Sequence, residues 1–570
     1  MPFDYEYAVG HNVSAIAITN PDGNCQQVHT AWIPTADVEK VIPNQAKNTE
    51  MGMEAIADAV TPAALQTMLS PIVDAYAEWI AEQQVKCPQE PNRLGVAKSL
   101  LHQAKRANDR IAAGIEALAN PQVFAAFCIA NRAIATAIRQ RATHGKSITP
   151  DSLAPPQWRP FQLAFLLMNL VGITNPEHND RESVDLLFFP TGGGKTEAYL
   201  GLAAFTLVLR RLHYPGIDSA GVSVLMRYTL RLLTLDQLGR AATVICALEL
   251  ERQKDESKLG SWAFEIGLWV GQAATPNHMG KKGDNNEHSA RSRTIAFQND
   301  DRKPSPIPLE NCPWCGTKFT RNSFQLLPNP DKPIDLRITC SDRKCDFRGD
   351  RSLPIVTVDT SIYQRLPCFI IATVDKFANL PWVGETGALF GQVDRYDNDG
   401  FYSAVRPGCG KPLSNHLLPP SLIIQDELHL ISGPLGTMMG LYETAIDALC
   451  SREINGKQVR PKIIASTATV RRATKQIQAL FGRSEVDIFP PPGPDRRDSF
   501  FAKTVPATEK NARTYVGIAA QGRSSKVVLL RTYLALLSAA QKQWLAAGGK
   551  NNLNNPADPY MTLLGYTNLN

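Results

Sequence analysis

The 570-residue chain has no long hydrophobic run. The longest near a possible anchor, residues 163–173, falls far short of the roughly 20 residues that a membrane span requires. The opening Met1-Pro2-Phe3-Asp4-Tyr5-Glu6 carries acids and no apolar core, so it does not read as a signal peptide. These two absences argue against spanning or secretion and point to the cytoplasm, with no membrane partner. Cysteine is sparse: eleven residues, scattered except for one cluster, which excludes a disulfide framework and favours reduced thiols with one metal site. Neither sign of charge dominates. A net charge of +6 spread over so long a chain suits a polyanion partner without demanding one. What is present is the composition of a globular protein, 44% hydrophobic and 20% charged, at a length that implies about three or four domains.

Residues 1–60 mix short β-like stretches (13–18 and 29–33) with turn signals. Residues 61–148 read as a helical domain, with helices over 62–84, 96–118 and 121–141 started by Pro62 and Pro121. Pro150, Pro155 and Pro156 mark a linker into an α/β domain over 149–490, whose strands are expected at 184–189, 221–226, 266–271, 369–374, 421–426 and 462–466. Continuous apolar strands alternating with helices predict a parallel sheet covered on both faces, with functional residues at the strand ends. Residues 491–570 read as a connector and the start of a second α/β domain, with 560–566 as its first strand.

The central motif is Pro190-Thr191-Gly192-Gly193-Gly194-Lys195-Thr196-Glu197, between the apolar 184–189 and a helical pattern. Glycines let backbone N–H groups converge on phosphate oxygens. The helix start adds its positive dipole end, Lys195 a mobile cation, and Thr196 a hydroxyl for Mg²⁺. The strict phosphate-loop pattern fails, since Phe189 stands where its first glycine belongs; a Gly-rich turn with a solvated lysine is the plain alternative. Ile423-Ile424-Gln425-Asp426-Glu427-Leu428-His429 then places two acids at the end of a buried strand. Asp426 can hold the metal that bridges nucleotide phosphates, and Glu427 can orient and deprotonate water. His429 would hydrogen-bond toward Ser466-Thr467-Ala468-Thr469, which follows another strand and can couple the acids to movement of a second domain.

Together these motifs resemble superfamily 2 helicases of the DExH type. The wording of Leu225-Met226-Arg227-Tyr228-Thr229-Leu230-Arg231, Ile371-Ala372-Thr373-Val374-Asp375-Lys376-Phe377 and Ile431-Ser432-Gly433-Pro434-Leu435-Gly436-Thr437 is similar to the large helicase subunit of the DISARM anti-phage defence system. That resemblance covers about residues 62–566. It implies a RecA-like P-loop NTPase domain, ATP with Mg²⁺, a tailed or partly single-stranded DNA substrate and a helicase-associated partner protein. It also implies that Gln162 reads the adenine edge of the nucleotide. A motor of this type needs a second RecA-like lobe, and these residues hold at most its beginning.

An insertion over 277–360 explains the distance between the two nucleotide motifs. Residues 277–309 are polar and read as a flexible arm. Cys312, Cys315, Cys340 and Cys345 then fit a four-cysteine zinc-ribbon-like module. Such zinc is structural, because four thiolates leave no open position; the alternative is reduced structural cysteines or a degenerate site that has lost its metal. Nucleic-acid phosphates are expected to meet the loops after two strands, at Arg227 and Arg231 and at Thr373, Asp375 and Lys376. The leading expectation is an ATP-dependent DNA helicase or translocase subunit; the alternative is a nucleotide-gated DNA-binding scaffold that recruits partners without sustained hydrolysis.

Overall fold

A computed structural model describes residues 7–565 except 9–12, 32, 47, 190–192, 229–230, 468–472 and 521, and only the backbone of 231–236. Two compact units emerge. One comprises residues 41–504; the other joins 5–40 to 505–570.

The larger unit is built on eight parallel strands: β1 Val184–Phe188, β2 Val224–Tyr228, β3 Ile266–Trp269, β4 Ile355–Val356, β5 Phe369–Thr373, β6 Leu422–Gln425, β7 Lys462–Thr467 and β8 Val486–Phe489, in the order β4-β3-β5-β2-β6-β7-β1-β8. Nearly every residue of β1, β2, β5, β6 and β7 is buried, because helices cover both faces. This is the predicted α/β, RecA-like sheet with helical cover. Register aligns the ends that matter: Phe188 pairs with Thr467, and Gln425 with both Ala465 and Arg227. The C-terminal ends of β1, β6 and β7 therefore lie along one edge.

Helices α1 Pro62–Leu69, α2 Pro71–Val85, α3 Pro91–Ala117, α4 Pro121–Thr143, α5 Pro160–Thr174, α6 Lys195–His213 and α7 Arg231–Lys254 form the rest of the core. The single helix expected over 62–84 is two, because Pro71 cannot continue α1 and instead starts α2. Asn120 caps α4 by accepting from the Gln122 and Val123 amides, with Pro121 at the first helical position. Among the described residues α4 is the one helix long and apolar enough to cross a membrane, and most of its apolar window is buried against protein. It packs on α6 and α7, as α3 packs on α5.

Two local expectations are corrected. Residues 277–309 are not a flexible arm: they contain the helix α8, Ala290–Asn299, which buries Ala290, Thr294 and Phe297 and sets Phe297 edge-on to Phe324 at 5.4 Å. Few apolar residues suffice there because Met279, Ala290, Phe297 and Ile307 are buried. Between β5 and β6 the chain also forms a small antiparallel sheet, Gly400–Tyr402, Arg395–Asp397 and Lys411–Pro412. The strand expected at 560–566 is absent among the described residues, where a 3-10 turn, Asp558–Tyr560, leads into irregular backbone.

In the second unit, Ser14–Thr19 pairs with Cys25–Ala31 and Arg513–Val516 with Thr35–Val38. It also carries the helix Ser525–Ala546, none of whose residues is buried.

Candidate nucleotide site and cysteine cluster

The end of β6 and the starts of α5 and α6 enclose a cavity of about 490 Å³, walled by Gln162, Lys195, Thr196, Tyr199, Asp426 and Glu427 among others. The turn before α6 reaches its helix through Gly194 in the left-handed region, φ 88°. A side chain at Gly194 would also collide with Gln162, whose Nε2 lies 2.7 Å from the would-be Cβ. The backbone conformation calls for glycine there, and a Cβ would also displace the Gln162 amide. Phe189, the departure from the strict phosphate-loop pattern, is buried and stacks on Phe161 at 3.9 Å. An aromatic wedge fixes the approach to the turn where the stricter pattern would place a glycine.

Lys195 is enclosed at the start of α6, and its Nζ donates to the Thr467 carbonyl at 3.2 Å. Burial lowers its pKa, against the pull of the Glu427 and Asp426 carboxylates. Asp426 has both oxygens engaged: Oδ1 accepts from the Glu427 amide at 2.9 Å, and Oδ2 lies 2.8 Å from the Tyr199 hydroxyl. That hydroxyl is also 3.1 Å from Thr196 Oγ1. Burial first, then the Asp426 charge, pushes the Tyr199 pKa well above its ordinary value, so the phenol keeps its proton and gives it to Asp426. A hydroxyl has one proton, so Thr196 must donate to the Tyr199 oxygen. The two residues read as metal ligands are therefore joined through one tyrosine.

Glu427 adopts φ 48°, ψ 47°, a left-handed conformation that costs a non-glycine residue roughly 1–2 kcal/mol. The turn brings its carboxylate 3.3 Å from His429 Nδ1, which is also 3.3 Å from Thr467 Oγ1. Glu427, His429 and Thr467 thus form one chain of contacts. Ser466 is buried in β7, and its hydroxyl finds no partner among the described residues. Gln162 is buried in the first turn of α5; it accepts from the Arg159 amide at 2.8 Å and donates to the Gly194 carbonyl at 2.6 Å. Its amide holds the loop in place. Glu197 pairs with Arg240 of α7. Pro190, Thr191, Gly192, Ala468 and Thr469 lie outside the described residues, as does the Arg231 side chain.

The residues expected to touch nucleic acid are mostly interior. Arg227 does not follow β2 but lies within it, fully buried, paired with Glu443 of the helix α9, Gly433–Cys450, and close to the Phe377 and Phe481 rings. Thr373 is buried at the end of β5. Lys376 is 3% exposed, with Nζ 2.6 Å from Asp359 Oδ2. Burial raises the Asp359 pKa to about 6 despite that cation. Among the described side chains of this group, Asp375 alone is exposed. A buried cation needs a partner, and each partner here is remote in sequence.

Tyr199, Gln237, Arg159 and Arg240 were not anticipated. Tyr199 carried a usable signal, since three residues after Thr196 on a helix it shares that residue's face. Gln237 and Arg240 also line the cavity, and Gln237 Nε2 stands 3.5 Å from Thr196 Oγ1.

The four cysteines of the insertion come together as expected, their sulfurs all within 4.8 Å of one another and Cys315 and Cys340 at 3.4 Å. A tetrahedral zinc with sulfurs about 2.3 Å away spaces them about 3.8 Å apart, so the cluster is close to that geometry. The hairpin Phe324–Leu327 and Asp335–Ile338 joins the two pairs. The Asp342 and Phe347 amides point at Cys340 and Cys345 Sγ, and Trp314 Nε1 donates to Asp346 at 2.8 Å, tying the first pair to the second. Three of the four cysteines are buried. Such a donor set fits a closed structural metal.

No protein-family model matches the chain. The resemblance read from the motifs holds over nearly its whole length. The chain is 36% identical over 575 residues to DISARM protein DrmA of Bacillus paralicheniformis, across 95% of this chain and 50% of that protein. The chain therefore spans about half the length of the curated relative it matches. Among solved structures it is similar to a DUF1998 helicase, MrfA, bound to DNA and AMPPNP, with 12% identity and a TM-score of 0.33 over 72% of this chain and 34% of that one.

Proposed function

We propose that the chain is the nucleotide-binding part of an ATP-dependent DNA helicase or translocase subunit of an anti-phage defence complex. One observation carries the reading. Thr196 and Asp426, 230 positions apart, share the Tyr199 hydroxyl beside Lys195 and Glu427, in a cavity of about 490 Å³. Buried polar groups gathered without apolar purpose await a polar ligand.

In this reading Lys195 and the amides of the loop into α6 receive the phosphates, and Thr196 and Asp426 hold Mg²⁺. The metal, when bound, neutralises charge on the phosphate oxygens. Glu427 orients water and takes its proton, steadied by His429. Thr467 carries the state of that pair into the loop after β7, with Ser466, Ala468 and Thr469. Gln162 meets the base with the second Nε2 hydrogen and the remaining Oε1 lone pair, beside its bonds to Gly194 and Arg159. DNA phosphates meet the loops after β2 and β5 near Arg231 and Asp375, while Arg227, Thr373 and Lys376 brace those loops from inside. Cys312, Cys315, Cys340 and Cys345 hold a structural zinc. The protein works in the cytoplasm with a helicase-associated partner.

The test is DNA-stimulated phosphate release by the chain alone, by the chain with that partner, and by the Glu427→Gln variant of each. Turnover in the complete assembly no higher than in the variant overturns the motor and leaves the nucleotide-gated scaffold. Elemental analysis addresses the metal: zinc well below one equivalent, unchanged by Cys312→Ser, refutes the ribbon.

A further inference from the structure

Helix α7 touches both sites. Gln237 faces Thr196, Arg240 pairs with Glu197, and Thr243, one turn further, is fully buried with its hydroxyl 2.8 Å from the carbonyl of Pro313 between the first two cysteines. Three-residue steps keep these side chains on neighbouring parts of one helical face. Thr243 has a second acceptor at 2.8 Å, the Gly239 carbonyl of its own helix, so its single proton is shared between helix and knuckle.

The knuckle also rests on α4. His144, just past that helix, has Nε2 3.0 Å from the Trp314 carbonyl. Gly316 lies so close that a Cβ there would stand 2.8 Å from the His144 ring. Ile138 of α4 lines the nucleotide cavity together with Gln237 and Arg240. Thus the two helices that seat the cysteine knuckle also wall the cavity, and each seat is a backbone carbonyl whose direction the cysteine pair fixes.

We propose that the four-cysteine module acts as a strut for the nucleotide cavity, with Thr243 as the positioning residue that passes the seating of the Cys312–Cys315 knuckle through α7 to Arg240 and Glu197. The inference rests on the ATP reading of that cavity. Metal release frees the knuckle, moves the Pro313 and Trp314 carbonyls off their seats, and lets α7 turn, so that Arg240 no longer holds Glu197 at the start of α6.

The experiment is titration of a fluorescent ATP analogue with Mg²⁺ into the intact protein, before and after zinc is removed by a chelator, and into Thr243→Val, Thr243→Ser and Gly316→Ala. Thr243→Val is expected to keep its zinc and weaken nucleotide binding roughly three- to tenfold, the size of one hydrogen bond. Thr243→Ser should restore it. Zinc removal and Gly316→Ala should each weaken binding at least as much, the latter with zinc retained. Unchanged nucleotide affinity in Thr243→Val, or equal loss in Thr243→Ser, overturns the strut. No binding even by the unaltered protein overturns the ATP reading instead. Lys195→Ala, with zinc intact and nucleotide lost, keeps the two failures apart.

Discussion

Two clusters of charge sit in the same sheet, and they are built on opposite terms. Around Asp185, buried in β1, every partner is supplied: Arg110 donates at 2.6 and 2.9 Å and Lys462 Nζ stands at 2.6 Å, while Arg110 also reaches Asp180 and Asp487. Around Lys195 the terms are reversed. Among the described residues its amine makes no ion pair and donates only to a carbonyl, although the Asp426 and Glu427 carboxylates face the same cavity. Matched charges fasten the helical layer to the sheet; unmatched ones keep room for a third party. The same residue types serve structure or ligand according to whether their partners are already present.

That contrast can be broken from either side. The largest effect is expected at the matched cluster: Asp185→Ala leaves Lys462 buried without a carboxylate and should cost about 3–5 kcal/mol in urea unfolding. Burial alone would raise the Asp185 pKa, but Arg110 and Lys462 more than offset it, and the net direction is downward. A lowered carboxylate contributes stability that is complete above its unfolded value of about 3.9 and is lost as pH falls through the folded value. Acid unfolding monitored by circular dichroism should therefore begin at higher pH in Arg110→Gln.

Next comes the unmatched cluster. Glu427→Gln should lower DNA-stimulated turnover of the assembly by about 10²–10⁴-fold while sparing nucleotide binding, measured by phosphate release and by titration. Tyr199→Phe should raise the Mg²⁺ concentration for half-maximal nucleotide binding about tenfold, as expected for a group that orients metal ligands, without lowering affinity for metal-free ATP.

What could be read from sequence was what is local. A strand, a Gly-rich turn and a helix are contiguous around Lys195, so the motif carries its own context. The acids follow their strand directly, and the cysteine pairs declare themselves by spacing. Arg227 could not be read this way. Its partner Glu443 lies on α9, far along the chain, and nothing beside Arg227 announces an interior position. Lys376 was misread for the same reason, its carboxylate arriving from Asp359 on a separate helix. Residues 277–309 show a further limit: composition reports how much can be buried, not whether three well-placed side chains are enough. Tyr199 was visible in principle, but a tyrosine on an apolar helix face looks like core until its hydroxyl is seen between Thr196 and Asp426.

The backbone at Glu427 sets function against durability. Its left-handed turn puts the carboxylate beside His429, and an L-residue there meets a steric penalty, smallest for Asn and Asp. Glycine would not. Glu427→Gly should therefore melt later, by about 1 kcal/mol less strain, while losing hydrolysis altogether. A screen that ranked variants of this protein by thermal resistance alone would select the inactive one.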